Sequence, residues 1–252
     1  VHTHRFIPDG DHACIMEDHI QWQLPLGILS RPFYGLAKKD FDRMFHYRHQ
    51  VLIRDLERHA NRTASKTILV SGASGTIGSI LIPFLKTCGH RVIQLVRSRK
   101  EPGPDQIFWD PYQGEIDLDG LAASAGRVDA VINLNGADIS RGRWSPGRKQ
   151  TIIDSRVIPT RFLARVMAQM DPKPEVFISS SAIGYYGDRG PEWLNEDTGR
   201  GDCFISRVCD QWEQAGDKAR AAGIRTVLLR IGVVLTPAGG ALKRMAPAFR
   251  VG

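Results

Sequence analysis

Ile68-Leu69-Val70-Ser71-Gly72-Ala73-Ser74-Gly75-Thr76-Ile77-Gly78 is the stretch on which the fold turns. A short apolar burst runs into three glycines spaced three apart, and Ile80, Leu81 and Leu85 follow at helical spacing, so the segment reads as strand, tight turn and helix. Gly72 permits the turn, Gly75 lets the backbone approach a pyrophosphate without a Cβ in the way, and Gly78 allows the helix to pack close to the strand. The helix start then offers unpaired N–H groups and the positive end of its dipole to phosphate oxygens. A glycine loop by itself is only a turn; its position between strand and helix makes it a dinucleotide cradle.

Outward from this turn, apolar β-rich bursts alternate with helical stretches. Strands are expected at 67–71, 91–96, 106–109, 128–133, 175–180 and 225–231, and helices near 77–87, 148–169 and 204–222. Alternation at that spacing predicts an α/β, Rossmann-type doubly wound parallel sheet covered on both faces. The end of the second strand separates the two nicotinamide dinucleotides, because an acid about 20 residues past the glycines holds the ribose hydroxyls in NAD proteins. Here the segment is Leu95-Val96-Arg97-Ser98-Arg99-Lys100, without an acid. Arg97 and Arg99 offer guanidinium forks to a 2′-phosphate, with Ser98 between them, so NADP(H) is preferred over NAD(H). Lys100 reads as a solvated loop residue.

Upstream the texture differs. Seven of the eight histidines lie before residue 60, which marks a separate unit. Val1 to Pro8, a turn at Asp9-Gly10-Asp11, and Ala13 to Leu24 read as a β-hairpin, and 31–60 as a long amphipathic helix carrying Phe33, Leu36, Phe41, Phe45, Val51, Leu52 and Leu56. The polar residues 61–66 are the linker. The expected division is therefore 1–60, a linker at 61–66, and a nucleotide-binding domain over 67–252. His2 and His4 share one strand face, but no third ligand is spaced to join them, so no metal is expected.

Composition narrows the function classes. A net charge of +7 without a Lys/Arg run of five or more argues against nucleic acid, and the apolar stretch from Thr226 to Leu235 is broken by Arg230 and Gly232, far short of a membrane span. Four cysteines without a C-x-x-C pair suit a reducing cytoplasm. Val1 is not an initiator, no apolar leader follows it, and only about 20 residues follow the last strand; the chain is expected to be a fragment lacking its substrate subdomain.

Several motifs together resemble the extended short-chain dehydrogenase/reductases. Gly72 to Gly78 is similar to their G-x-x-G-x-x-G, and Asn133-Leu134-Asn135-Gly136-Ala137 to the N-x-A-G turn after the fourth strand, with Asn135 in place of alanine. Ser179-Ser180-Ser181-Ala182-Ile183-Gly184-Tyr185-Tyr186-Gly187 resembles the serine motif. Arg143-Trp144, Asp154-Ser155-Arg156-Val157 with Thr160, and Gln211-Trp212-Glu213 narrow the resemblance to the atypical "epimerase family" proteins of unassigned substrate. It implies cofactor contacts at Gly72, Ser74, Gly75, Thr76, Ile77, Gly78, Asn135, Gly136, Ala137 and Ser179, and catalytic roles at Ser181, with Ser180 as competitor, and at Tyr185 or Tyr186. The superfamily's Y-x-x-x-K pair is missing: Phe204 and Val208 stand at its positions, and neither side chain titrates. Glu196 matches an acid that follows the serine motif, a residue that more often pairs locally, and Arg156 stands where many relatives carry Asn.

Residues 1–60, with His-x-His, Leu-Pro-Leu-Gly and Phe45-His46-Tyr47-Arg48-His49, resemble the end of a START-like (polyketide-cyclase/helix-grip) domain, which implies a hydrophobic ligand. Two functions follow. One is an NADP(H)-dependent oxidoreductase or epimerase acting on a sugar-like or polyol small molecule with a non-standard catalytic centre. The other is a non-catalytic NADP(H)-binding or sensing module coupled to the START-like domain.

Overall fold

The computed structural model describes residues 1–11, 13–25, 32–60, 64–98, 103–140, 142–236 and 239–251. Two compact units divide the chain, Val1–Arg62 and Thr63–Gly252.

In the first unit, β1 (His2–Pro8) and β2 (Cys14–Ile20) pair antiparallel, and α1 runs over Tyr34–Ala60. The second strand is shorter than the expected 13–24: after Gln21, which still exchanges backbone hydrogen bonds with Val1, the chain leaves the ladder, and Trp22 stacks on Tyr34, ring centroids 4.9 Å apart. The register sets His4 opposite Asp18 and His2 opposite Ile20. Because residues two apart point to the same side of a strand, His2, His4 and Asp18 share one face. The hairpin thus brings beside the two histidines a third side chain of a metal-ligating type, which linear spacing did not show.

The second unit is a seven-stranded sheet in the order β6-β5-β4-β3-β7-β8-β9, formed by β3 (Thr67–Ser71), β4 (Arg91–Val96), β5 (Gln106–Asp110), β6 (Glu115–Ile116), β7 (Ala130–Asn133), β8 (Val176–Ala182) and β9 (Arg225–Ile231). All pairs are parallel except β5 with β6. The order reverses between β3 and β7, the switch point beside which open α/β sheets bind ligands. The helices are α2 (Gly78–Thr87), α3 (Leu118–Ala125), α4 (Pro146–Gln169), α5 (Phe204–Gln214), α6 (Asp217–Ala221) and α7 (Gly240–Val251).

Alternation on β3 shows why its centre, Ile68-Leu69-Val70, is continuously apolar. Leu69 joins Ile93, Val131, Phe162, Leu163, Met167 and Phe177 on the α4 side, whereas Ile68 and Val70 join Val92, Ile132 and Ile82 on the α2 side. With both faces covered, none of these three central positions is left for a polar residue, and Ser71 at the strand's end is buried with its hydroxyl bonded to Asn133. Each such side chain taken from water contributes ~1.5–3 kcal/mol.

Three departures from the expected elements have local causes. The helix expected over 204–222 is two helices, because the chain turns at Ala215-Gly216 before α6 begins. Unexpected α3 starts at Asp117, whose carboxylate accepts from the Gly120 amide. Unexpected α7 is tied back by Arg244, which donates to the Ser140 carbonyl at 3.0 Å. Among the described residues, no helix is long and apolar enough to cross a membrane.

Candidate functional site

The three turn glycines are shaped by what surrounds them. Gly72 sits at φ +77°, and a Cβ there would lie 2.6 Å from the Leu134 carbonyl oxygen; a Cβ on Gly78 would lie 2.5 Å from the Gly72 oxygen. Both are closed to any other residue by backbone. A Cβ on Gly75 would meet only the Gly72 oxygen, at 3.2 Å, so packing does not forbid one there. Ile77 occupies the N-cap of α2 and no side chain caps that helix. An uncapped helix start above two obligatory glycines is a fitting cradle for a pyrophosphate.

A cleft follows the carboxyl ends of the strands in three adjoining recesses that share Gly72. The first holds Ser74, Arg97, Ser98 and Trp109, the second Gly75, Tyr112, Asn135, Gly136 and Ala137, and the third Thr76, Ile77, Gly78, Ser180 and Val233. Arg97 and Ser98 are exposed on the rim. Arg99 and Lys100 lie outside the described residues. The hydroxyl oxygen of Ser180 is buried without a hydrogen-bond partner, although the residue lines the third recess. A buried hydroxyl without a partner costs ~1–3 kcal/mol, so a ligand with a polar group fits that place.

Beneath the cleft a buried polar web ties the switch point together. Asn133 accepts from Ser71 Oγ at 2.9 Å and donates through Nδ2 to Thr160 Oγ1 at 2.7 Å and Ser179 Oγ at 3.1 Å. Asn135 Nδ2 donates to Ser71 Oγ and Asn133 Oδ1, and Trp212 Nε1 donates to Thr160 Oγ1. This corrects one expectation. Ser179 has no exposed surface and its hydroxyl is taken by Asn133, so Ser180, pointing to the other face of β8, is the serine on the cleft. The Ala137 amide donates to Ser155 Oγ, and Arg156 donates to the Ala137 carbonyl at 3.1 Å, which holds the Gly136-Ala137 turn against α4. Burial pushes the Arg156 guanidinium below its ordinary pKa.

Ser181 is 3% exposed, and its hydroxyl donates to Glu213 Oε1 at 2.6 Å. Arg230 sits beside Ser181 in the sheet register and grips the same carboxylate with Nε and Nη2, each at 2.9 Å. Its Nη1 donates to the Tyr186 hydroxyl at 3.0 Å, and its guanidinium lies 3.6 Å from the centre of the Tyr185 ring. The bond to Glu213, opposed by partial burial and helped by the Tyr186 bond, raises the Arg230 pKa, so it is a permanent cation. Glu196 joins only through its main-chain oxygen, which accepts from Arg230 Nη1 at 3.3 Å. At the Y-x-x-x-K positions, Phe204 packs edge-on to Trp144 and Val208 is buried. The sequence shows Glu213 within the Gln211-Trp212-Glu213 motif and Arg230 interrupting the apolar run of β9, but nothing in it places the two side by side.

A 3-2-1-4-5-6 parallel sheet with a glycine turn at its switch point defines a Rossmann-type dinucleotide-binding protein. The chain belongs to the NAD dependent epimerase/dehydratase family, whose model matches residues 68–250. An epimerase family protein of Mycobacterium bovis is 40% identical over 189 residues, 75% of this chain and 60% of that protein. The cattle epimerase family protein SDR39U1 is 35% identical over 190 residues, 73% and 60% of the respective chains. Among solved structures, the nucleoside-diphosphate sugar epimerase of Corynebacterium glutamicum matches with a TM-score of 0.76 and 36% identity, covering all of this chain and 50% of that one. Human epimerase family protein SDR39U1 with NADPH matches with a TM-score of 0.61 and 32% identity, over 74% of this chain and 60% of that one. The chain thus spans only half to three fifths of these relatives' lengths.

Proposed function

We propose that residues 67–252 are the NADP(H)-binding part of an oxidoreductase or epimerase acting on a sugar-like or polyol small molecule. The observation that carries this reading is the continuous cleft from Arg97, past the glycine turn, to the unpartnered hydroxyl of Ser180. Ser74, Gly75, Thr76, Ile77 and Gly78 cradle the pyrophosphate, Arg97 with Ser98 takes the 2′-phosphate, and Asn135, Gly136 and Ala137 form the opposite wall. NADPH in the human relative's structure supports the choice of dinucleotide. The nicotinamide, when bound there, would supply the hydride chemistry. The proton falls to Tyr186, whose hydroxyl faces Arg230 at 3.0 Å, a phenol beside a fixed cation as the Tyr/Lys pair of the superfamily provides. Glu213 and Ser181 position Arg230, and Tyr185 packs on its face.

A second reading, a binding or sensing module without turnover, is favoured by the burial of Ser181 and the commitment of its hydroxyl to Glu213. One experiment separates them: the protein is mixed with NADPH deuterated at C4 and a panel of keto and aldehydo sugars, and product is read by mass spectrometry. Deuterium in product, lost in Tyr186→Phe, supports the enzyme; cofactor binding with no transfer to any sugar supports the module.

For residues 1–60 we retain the reading of the end of a START-like domain, joined by 61–66. It draws support from a recess whose lining is part apolar, from Met16, Phe45 and Leu52, and part polar, from Asp18, Arg48 and His49. Four cysteines, none joined in a disulfide among the described residues, fit the proposed cytoplasmic setting.

A further inference from the structure

His2 and His4 on β1 and Asp18 on β2 meet on one face of the hairpin. His4 Nδ1 lies 2.5 Å and His2 Nε2 3.2 Å from the same oxygen, Asp18 Oδ1, and the three atoms all lie within 4.8 Å of one another. We propose that these three side chains bind a divalent first-row transition-metal ion of the zinc class, with the remaining coordination positions open to solvent or a small ligand.

Two imidazoles and a carboxylate are the donors such ions prefer, and three protein ligands leave an open position. Tetrahedral ligands at ~2.0–2.2 Å from zinc lie about 3.3–3.6 Å apart, which the His2–Asp18 separation already approaches; His4 needs to withdraw by about 1 Å to match. The surroundings orient the set. Arg48 Nη1 lies 3.5 Å from the other oxygen, Asp18 Oδ2, which leaves Oδ1 turned toward the imidazoles. The edge of Phe45 meets the His2 ring with centroids 5.8 Å apart. Such outer partners fix ligand orientation and raise affinity. All three residues are exposed, so an ion has a direct path in. The site stands apart from the cofactor reading, and its success or failure leaves that reading untouched.

The test is calorimetric titration of the untagged full chain with zinc chloride near neutral pH. One zinc per chain is expected, with affinity at least ~100-fold weaker in His4→Ala and in Asp18→Asn. Cys14→Ser retains wild-type binding. Since the substitutions can disturb the hairpin, cobalt(II) spectra of the wild-type protein provide an independent readout: visible d–d bands without a thiolate charge-transfer band. Absence of stoichiometric zinc binding, unchanged affinity in His4→Ala, or a cobalt–thiolate band overturns the site.

Discussion

Replacing Glu213 with alanine removes the acceptor on which three donors converge. Ser181 Oγ and Arg230 Nε share Oε1, and Arg230 Nη2 takes Oε2. The Glu213 side chain is 10% exposed and that of Arg230 19%, so solvent cannot re-pair the guanidinium fully. Breaking a buried pair by deleting one partner costs about 3–5 kcal/mol. For a domain of this size, 1 kcal/mol moves the melting midpoint by about 2–4 °C, so Glu213→Ala should melt roughly 6–20 °C lower. Glu213→Leu combined with Arg230→Leu should lose clearly less than the sum of the two single changes, because the double variant leaves no orphaned charge. Urea titrations of the four proteins supply the cycle. If Glu213→Ala loses less than ~1 kcal/mol, or the double variant loses the full sum, the carboxylate is not the keystone of the Ser181–Arg230–Tyr186 network.

The glycine turn separates folding from binding. Gly78→Ala, which sets a Cβ 2.5 Å from backbone oxygen, should destabilise the protein and abolish NADPH binding, whereas Gly75→Ala should fold normally and lose affinity at least tenfold, as thermal melts and cofactor titrations will show. Cys209 supplies a pH dependence. Burial is the main cause of its thiol being pushed up to about 11 from 9.0, so its contribution is complete below pH 9 and disappears as pH rises through 11. The loss is up to ~2–3 kcal/mol; denaturation midpoints of Cys209→Ala should fall less between pH 8 and 11 than those of the parent.

The strand–turn–helix at Ile68 to Gly78 was legible because each step, apolar run, glycine spacing and helical period, is local. The β6–α3 excursion was not: a two-residue strand has no periodicity, and only the Asp117 cap marked the helix after it. Long-range register hid the rest. Nothing in the chain near Ser181 says that Arg230 is its neighbour, or that Asp18 stands opposite His4; both follow only once strands are paired. The serine motif shows the same limit. Three consecutive serines are equivalent as sequence, but strand alternation sends Ser179 and Ser181 into buried bonds and Ser180 to the cleft.

Trp109, which lines the first two recesses, is a built-in reporter of whether the cleft takes NADP(H) by its 2′-phosphate. Fluorescence titration should give NADPH a dissociation constant at least tenfold below that of NADH. Arg97→Ala should remove that difference, since a charge-assisted bond is worth ~1.5–3 kcal/mol. Equal or tighter binding of NADH by the unaltered protein would contradict recognition by the 2′-phosphate.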